Sequence, residues 1–300
     1  MGKIVVVGSS NVDITARVKR LPLPGETMGG ATLHHANGGK GANQAVAASR
    51  MGADVVLVTC LGDDASGKML SAQFVADGID TSYVKLSSTP TGTALIFVDE
   101  NAENCIAVAP GSNNDLLPED IEAARPCMEG VEFFLIQLEI PIPTIVRSVE
   151  LADSLGLKVI LNPAPMKSLP DDLFGRIWLI TPNQTEAEML TGVDVATEED
   201  ARKAAAALFA KGVKNVIITM GSKGSMVCTP EAAEFVPSRK VQAIDTTGAG
   251  DVYNGALVAA LADGKSIFEA ARLATLASSV AVTRMGAQTS APYASEIDNL

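Results

Sequence analysis

Late in the chain, an apolar run at 241–244 meets seven residues: Asp245, Thr246, Thr247, Gly248, Ala249, Gly250 and Asp251. An Ala-rich apolar stretch follows at 252–261. The expected order is strand, glycine-rich turn, helix. The first turn of a helix carries N–H groups without intrahelical partners and the positive end of the helix dipole, and glycine lets an anion approach the backbone. Asp251 is out of character there. A carboxylate at the mouth of an anion site repels phosphate unless it has a task, and the available task is to take the proton of a hydroxyl attacking phosphorus. The same residues would also serve as a tight turn and a capped helix, with both aspartates as caps. Taken alone, the motif leaves these two readings balanced.

The rest of the chain has α/β composition. It is 300 residues long and 47% hydrophobic but only 4% aromatic, and short Val/Ile-rich runs alternate with Ala-rich segments around what must be a large core. A formal net charge of −12 argues against nucleic acid or an anionic membrane surface as partner. A phosphate compound would need positive potential made locally, by N–H groups, a lysine or a metal. No stretch is apolar for long enough to span a bilayer. Cys60, Cys105, Cys127 and Cys228 fall in or beside apolar runs without metal-ligand spacing, so we expect buried, reduced thiols in a cytoplasmic protein. His34 and His35 read as loop or strand residues.

Ligands of an open parallel sheet bind beyond the carboxyl ends of its strands. The strand at 5–8 delivers Asn11 and Asp13 to such a place, where an amide and a carboxylate suit a polyhydroxyl compound or an Asx-type turn equally well. The segments 14–36 and 91–109 alternate apolar and polar residues and read as two β-patches, a lid over the strand ends, with a hairpin turn at 99–104. Between them, Gly38, Gly39 and Gly41 crowd the start of an Ala-rich helix and hold Lys40 and Asn43 near one point. Residues 62–69 come one residue short of a P-loop, because Met69 stands where a magnesium-binding hydroxyl belongs, and Asp63 and Asp64 would oppose a phosphate. Gly264 reads as a helix stop rather than part of a second such loop.

From 117 onward helices and strands alternate: helix at 119–128, strand at 132–138, helix at 143–155, and strands at 157–161, 178–180 and 213–219. Glu139 lies at one strand end. Asn183 and Glu186 sit three apart on a helical first turn, either as a capping pair or as oxygens for metal-bound water near a nucleotide. The turn from Met220 to Gly224 is either a plain hairpin or a cover for a nucleotide.

These residues, in this order, resemble the ribokinase family of sugar kinases over essentially the whole chain. Residues 38–44 are similar to its first signature and 245–251 to its second, with Asn11/Asp13, Glu139 and Asn183/Glu186 in the expected intervals. The resemblance implies a single α/β domain over 1–300, a three-layer sandwich with a mostly parallel central sheet and a small β-lid. It implies Asp251 as catalytic base and Gly248, Ala249 and Gly250 as anion hole. Asn11, Asp13, Gly39, Lys40, Asn43, Glu139 and Asp251 would bind the sugar. Asn183, Thr219, Gly221, Ser222, Lys223, Gly224, Gly250 and Thr275 would bind ATP, though the family often has His or Asn where Thr275 stands. Glu186 would act on Mg2+ through water. An activating K+ would take oxygens from Asp245, Thr247, Ala281, Arg284, Gly286 and Ser290, and rests on the resemblance alone. The implied activity is phosphorylation of D-ribose at its 5-hydroxyl. Deoxyribose, fructose or a nucleoside in the same fold, or a sugar-binding protein without turnover, are the alternatives. Bare edges of the lid favour a homodimer.

Overall fold

The computed structural model describes residues 2–101 and 103–297. Ala102, inside the expected hairpin turn, lies outside the described residues, as do Met1 and 298–300 of the expected domain. The chain runs β1 (Lys3–Val7), β2 (Asn11–Arg17), β3 (Thr32–Gly38), α1 (Lys40–Arg50), β4 (Asp54–Gly62), α2 (Ala65–Ala76), β5 (Asp80–Ser87), β6 (Gly92–Val98) and β7 (Asn104–Ala109). It continues through α3 (Pro118–Ala123), α4 (Arg125–Met128), β8 (Phe133–Gln137), α5 (Ile142–Ser154), β9 (Lys158–Asn162), β10 (Leu179–Ile180), α6 (Gln184–Thr191) and α7 (Glu198–Ala210). Last come β11 (Asn215–Thr219), β12 (Gly224–Cys228), β13 (Ala233–Pro237), α8 (Ala249–Ala262), α9 (Ile267–Ala281) and α10 (Ala294–Ile297).

Nine strands form one sheet in the order β13-β12-β11-β10-β9-β8-β1-β4-β5. Pairing is parallel from β5 to β11, and the β11-β12-β13 edge is antiparallel. A central strand covered on both faces needs apolar residues at every position, which is why β1 reads as a continuous apolar run. Val5 and Val7 pack on one side with α5 and α7, while Ile4 and Val6 pack on the other with α1, α8 and α9. The result is a three-layer sandwich, as expected. Four further strands make a separate sheet in the order β3-β2-β6-β7, in the place of the expected lid.

Lid and core share a root. β2 begins at Asn11 and β3 ends at Gly38, so the lid strands run directly into the site residues. At the start of β6, Thr91 donates to the Asp64 carboxylate from its N–H and its hydroxyl, each at 2.8 Å. Asp64 also accepts the Gly67 N–H at 2.7 Å and caps α2. That carboxylate stands where a P-loop would hold its phosphate, so the near-match at 62–69 is a structural joint. Gly264, at φ +84°, follows the end of α8 as a stop.

Three expectations need correction. The run 241–244 is not a strand: Ile244 and Asp245 donate their N–H groups to Val282 O at 2.7 and 3.2 Å, which ties this end of the run to the C-terminus of α9 rather than to the sheet edge at β13. The helix expected at 119–128 is broken into α3 and α4 at Ala124, where Pro126 offers no N–H to continue the ladder. Cys105 is exposed, unlike the three buried thiols, because it lies on β7, which is exposed along its whole length.

Helices α1 and α8 approach closely because Gly255 has no side chain. A Cβ there would lie 2.6 Å from Gln44 O, 2.6 Å from Ala47 Cβ and 2.8 Å from Ala48 N. Gly255→Ala is therefore expected to push the helices apart and destabilise the fold by about 1–3 kcal/mol. Urea unfolding measures it, and an unchanged midpoint would show that the contact has slack.

Candidate active site

The carboxyl ends of β1, β8, β9 and β10 deliver polar side chains to one place, and the N-termini of α1 and α8 meet there. Asp251, in the first turn of α8, is buried and does not cap its own helix. Its Oδ2 accepts from Asn43 Nδ2 and its Oδ1 from Gln44 Nε2, both at 2.9 Å. No side chain caps α8 at all; its N-cap is Gly248, at φ +72°. Ala249 N–H makes a turn bond to Thr246 O at 3.2 Å. The reading of both aspartates as ordinary caps is thereby excluded.

Gln44 continues inward. Its amide also donates to Asn162 Oδ1 at 3.0 Å, and its carbonyl accepts from Gln137 Nε2 at 2.7 Å. Asn254, one turn along α8, accepts from Thr181 Oγ1 at 2.6 Å and donates to Gly250 O at 2.8 Å. These buried amides orient Asp251 and the turn before it. Sequence reasoning assigned none of them a role, although Gln44 lies in the quoted 38–44 signature and Asn162 at a strand end.

On the other side of Asp251 lie the expected sugar ligands. Glu139 Oε2 accepts from Ser9 Oγ, from Lys40 N–H at 3.0 Å and from Asn11 Nδ2 at 3.5 Å, so this carboxylate also anchors the start of α1. Gly38 makes room for Asp13, since a Cβ there would lie 2.4–2.6 Å from its carboxylate atoms. Gly39, at φ +87°, lets the helix start pass Ser10 and Asn11 where a Cβ would fall 2.6 Å from the Asn11 nitrogen. Asn43 Oδ1 is buried without a hydrogen-bond partner, an acceptor suited to a donor such as a substrate hydroxyl.

The electrostatics are lopsided. Lys40 is pushed to a higher pKa by Asp251 first, then by Glu139, Glu186 and Asp13: one ammonium among four carboxylates. Burial first, then the Glu139 and Asp251 charges, push the Asp13 carboxyl up to about 6, and Lys40 partly offsets them.

Beyond Gly250 opens a cavity of about 670 Å³. Its walls include Asn183, Thr219, Gly221, Ser222, Gly224, Gly250 and Thr275 of the expected nucleotide set. Lys223 turns away, donating its ammonium to Ala196 O at 2.9 Å. Tyr253, Val241, Ala243 and Val282 also line it and were not anticipated. Asn183 and Glu186 do form the capping pair, with Asn183 Oδ1 accepting the Glu186 N–H at 2.8 Å and Glu186 Oε2 accepting the Asn183 N–H at 2.9 Å. Burial raises the Glu186 pKa.

Behind the first turn of α8, Asp245 ties two loops together. It accepts from Thr247 N–H and Gly286 N–H, both at 2.9 Å. Burial raises its pKa, yet these N–H groups hold it below the ordinary carboxylate value. Gly248 lies against Ala287, and Ser290 Oγ donates to Ala287 O at 2.8 Å. The Arg284 side chain leaves this region to bond Glu296. Among the described residues, no three His, Cys, Asp or Glu side chains converge as a metal site. Asp245 and Ser290 carry oxygens of the chemical kind that a monovalent cation takes.

Residues 1–294 match the model of the pfkB family carbohydrate kinases. The chain belongs to that family. Among its curated relatives is a ribokinase of Haemophilus influenzae, 42% identical over 294 residues covering 98% of this chain and 96% of the relative. A deoxyribokinase of Salmonella typhi is 36% identical, covering 96% and 95%. A solved structure of Arabidopsis thaliana ribokinase complexed with ribose and ATP superposes with a TM-score of 0.91 at 33% identity, covering 100% of this chain and 98% of that one. Carbohydrate kinase chemistry is thus assigned by family. Among the described residues, no helix is long and apolar enough to cross a membrane.

The raised Asp13 pKa has a sign. Below the unfolded value near 3.8 the carboxyl is protonated in both states; above about 6 it is ionised in both, and the folded state bears the unfavourable burial. Asp13→Asn should therefore stabilise the protein at pH 8, by about 2–3 kcal/mol at roughly 1.4 kcal/mol per pK unit, with the gain vanishing as pH falls from 6 to 4. Denaturant titrations at both pH values test this, and an equal effect at each would refute the burial argument.

Proposed function

We propose that this chain transfers the γ-phosphoryl group of ATP to the 5-hydroxyl of D-ribose, giving ribose 5-phosphate, and that residues 1–300 act as one unit in doing so. The observation that carries the reading is a junction of adjacent residues. Gly250 lines the cavity of about 670 Å³, and Asp251, next in the chain, is bound to Asn43 and Gln44 on the polar side. A carboxylate between a nucleotide site and a polyol site is where a hydroxyl would give up its proton.

Asn11, Asp13, Gly39, Lys40, Asn43 and Glu139 would hold the sugar, offering donors and acceptors in a pocket of fixed groups. Asp251 would orient the 5-hydroxyl and accept its proton as it attacks. Backbone N–H groups at Gly248, Ala249 and Gly250 would face the charge growing on the transferred group, where one such donor is typically worth about 3 kcal/mol. Phosphoryl transfer asks for positioning and charge stabilisation more than covalent chemistry. Thr219, Gly221, Ser222 and Gly224 would cover the nucleotide, and Thr275 would lie against its base. The Lys223 side chain points elsewhere, so only its backbone would take part.

Mg2+ would travel with the nucleotide and be held by Glu186 through water; the carboxylate retains one oxygen beyond its capping bond. K+ would be held by Asp245, Thr247, Ala281, Arg284, Gly286 and Ser290, supplying fixed positive charge behind the anion hole. The lid supports a homodimer: Leu33, Leu95, Ile106 and Val108 are exposed on its strands, and a second copy would cover them. The buried thiols Cys60, Cys127 and Cys228 fit a cytoplasmic setting. Deoxyribose is the second reading, favoured by the deoxyribokinase relative.

Asp251→Asn should lower turnover of ribose by about 10²–10⁴-fold while calorimetry still detects ribose and ATP binding. Near-normal turnover would remove Asp251 from the chemistry.

A further inference from the structure

Asn113 was not anticipated by any reading of the sequence, and it lies outside the proposed ligand set. It sits in a short 3-10 turn, Gly111–Asp115, where the chain returns from lid strand β7 to the core, and it is 1% exposed. Its oxygen accepts the Ser10 N–H at 2.8 Å. Its nitrogen faces three acceptors: Asn11 Oδ1 at 2.7 Å, Pro110 O at 3.0 Å and Ser10 O at 3.2 Å.

The orientation of this amide is dictated by backbone. A main-chain N–H can only donate and a main-chain carbonyl can only accept, so Asn113 cannot exchange its oxygen and nitrogen without placing donor against donor and acceptor against acceptor. The orientation of Asn11 follows. Its oxygen must meet the Asn113 amide, and its nitrogen is left toward Glu139 Oε2, 3.5 Å away, and the pocket. Gly92, paired with Asn11 across β2 and β6, leaves space for the contact: a Cβ there would lie 2.2 Å from Asn11 Oδ1 and 2.3 Å from Asn113 Nδ2.

We propose that Asn113 is a specificity-determining positioning residue: it locks Asn11 as a hydrogen-bond donor, so the pocket selects a sugar hydroxyl that accepts from position 11. Asp13, two residues along the same strand, offers only acceptors. A single hydroxyl or a neighbouring pair of hydroxyls satisfies both, and a sugar lacking the one at Asn11 leaves a buried donor unmet. This inference rests on the sugar-kinase reading above and deepens it.

The test compares D-ribose with 2-deoxy- and 3-deoxy-D-ribose in steady-state kinetics of the wild type, Asn113→Asp and Gly92→Ala. Asn113→Asp keeps the acceptor for Ser10 N–H but removes the amide that holds Asn11 Oδ1. Gly92→Ala intrudes on the same contact without altering either amide. In the wild type, loss of one of the two hydroxyls should lower kcat/KM by roughly 10- to 100-fold. In either variant the KM for ribose should rise by about the same factor and that discrimination should disappear, with kcat at saturating ribose and the KM for ATP within about twofold of wild type. A merely structural role would lower thermal stability and disturb both substrates alike, and that outcome overturns the proposal. So does discrimination that persists in both variants, or a wild type indifferent to both deoxy sugars. If the wild type releases no ADP with ribose, the functional reading fails and takes this inference with it; ADP release with unaltered discrimination in the variants overturns the inference alone.

Discussion

The structure depends on two amides meeting one carboxylate. Asn43 and Gln44, in the first turns of α1, grip the two oxygens of Asp251 in the first turn of α8. The helices can start side by side only because Gly255 lets their backbones close, and because Gly41 sits where a Cβ would lie 2.6 Å from Gly8 Cα. Remove either approach and the carboxylate loses its fixed aim. The small residues along α1 and α8 that read in the sequence as bland helix formers are what sets the distance between the parts of the site.

That clamp sits in an unusually acidic place. Asp13, Glu139, Glu186 and Asp251 all act on Lys40, and burial first, then the charges of Glu139 and Asp251, raise the pKa of Asp13. An arrangement that is unfavourable when empty suits ligands that bring hydroxyl donors and bound cations. Glu139 shows how the strain is contained: three donors from Ser9, Lys40 and Asn11 converge on one of its oxygens and tie β1, α1 and the β8 end together. The site is thus held by the same bonds that hold the layers.

The lid is part of this arrangement rather than an appendage. Its strands begin and end at Asn11, Gly38, Gly92 and Ala109, and two residues just outside β6 and β7 are bonded into the core, Thr91 to Asp64 and Asn113 to Ser10. Candidate ligand-binding side chains at a lid root, such as Asn11, make contacts on both sheets, which links the shape of the pocket to the position of the lid.

Sequence alone determined the alternation of strands and helices and the two β-patches, because periodicity and glycine placement are local signals, and it marked Asp251, Asn43, Asp13 and Glu139 as candidates that the structure brings to one place. It could not determine that 241–244 stays unpaired, since pairing needs a neighbour 4 to 5 Å away that only the sheet order supplies. Nor could it single out Gln44, Asn162, Asn254 or Asn113, ordinary amides whose significance comes from partners about 20 to 200 residues distant. Asn183 and Glu186 show the converse. Their spacing was legible and their capping bonds formed as spacing allows, yet their place beside the cavity was set by the fold. Residue types and local periods are written along the chain; which donor faces which acceptor is decided only when the packing of layers brings them within bonding distance.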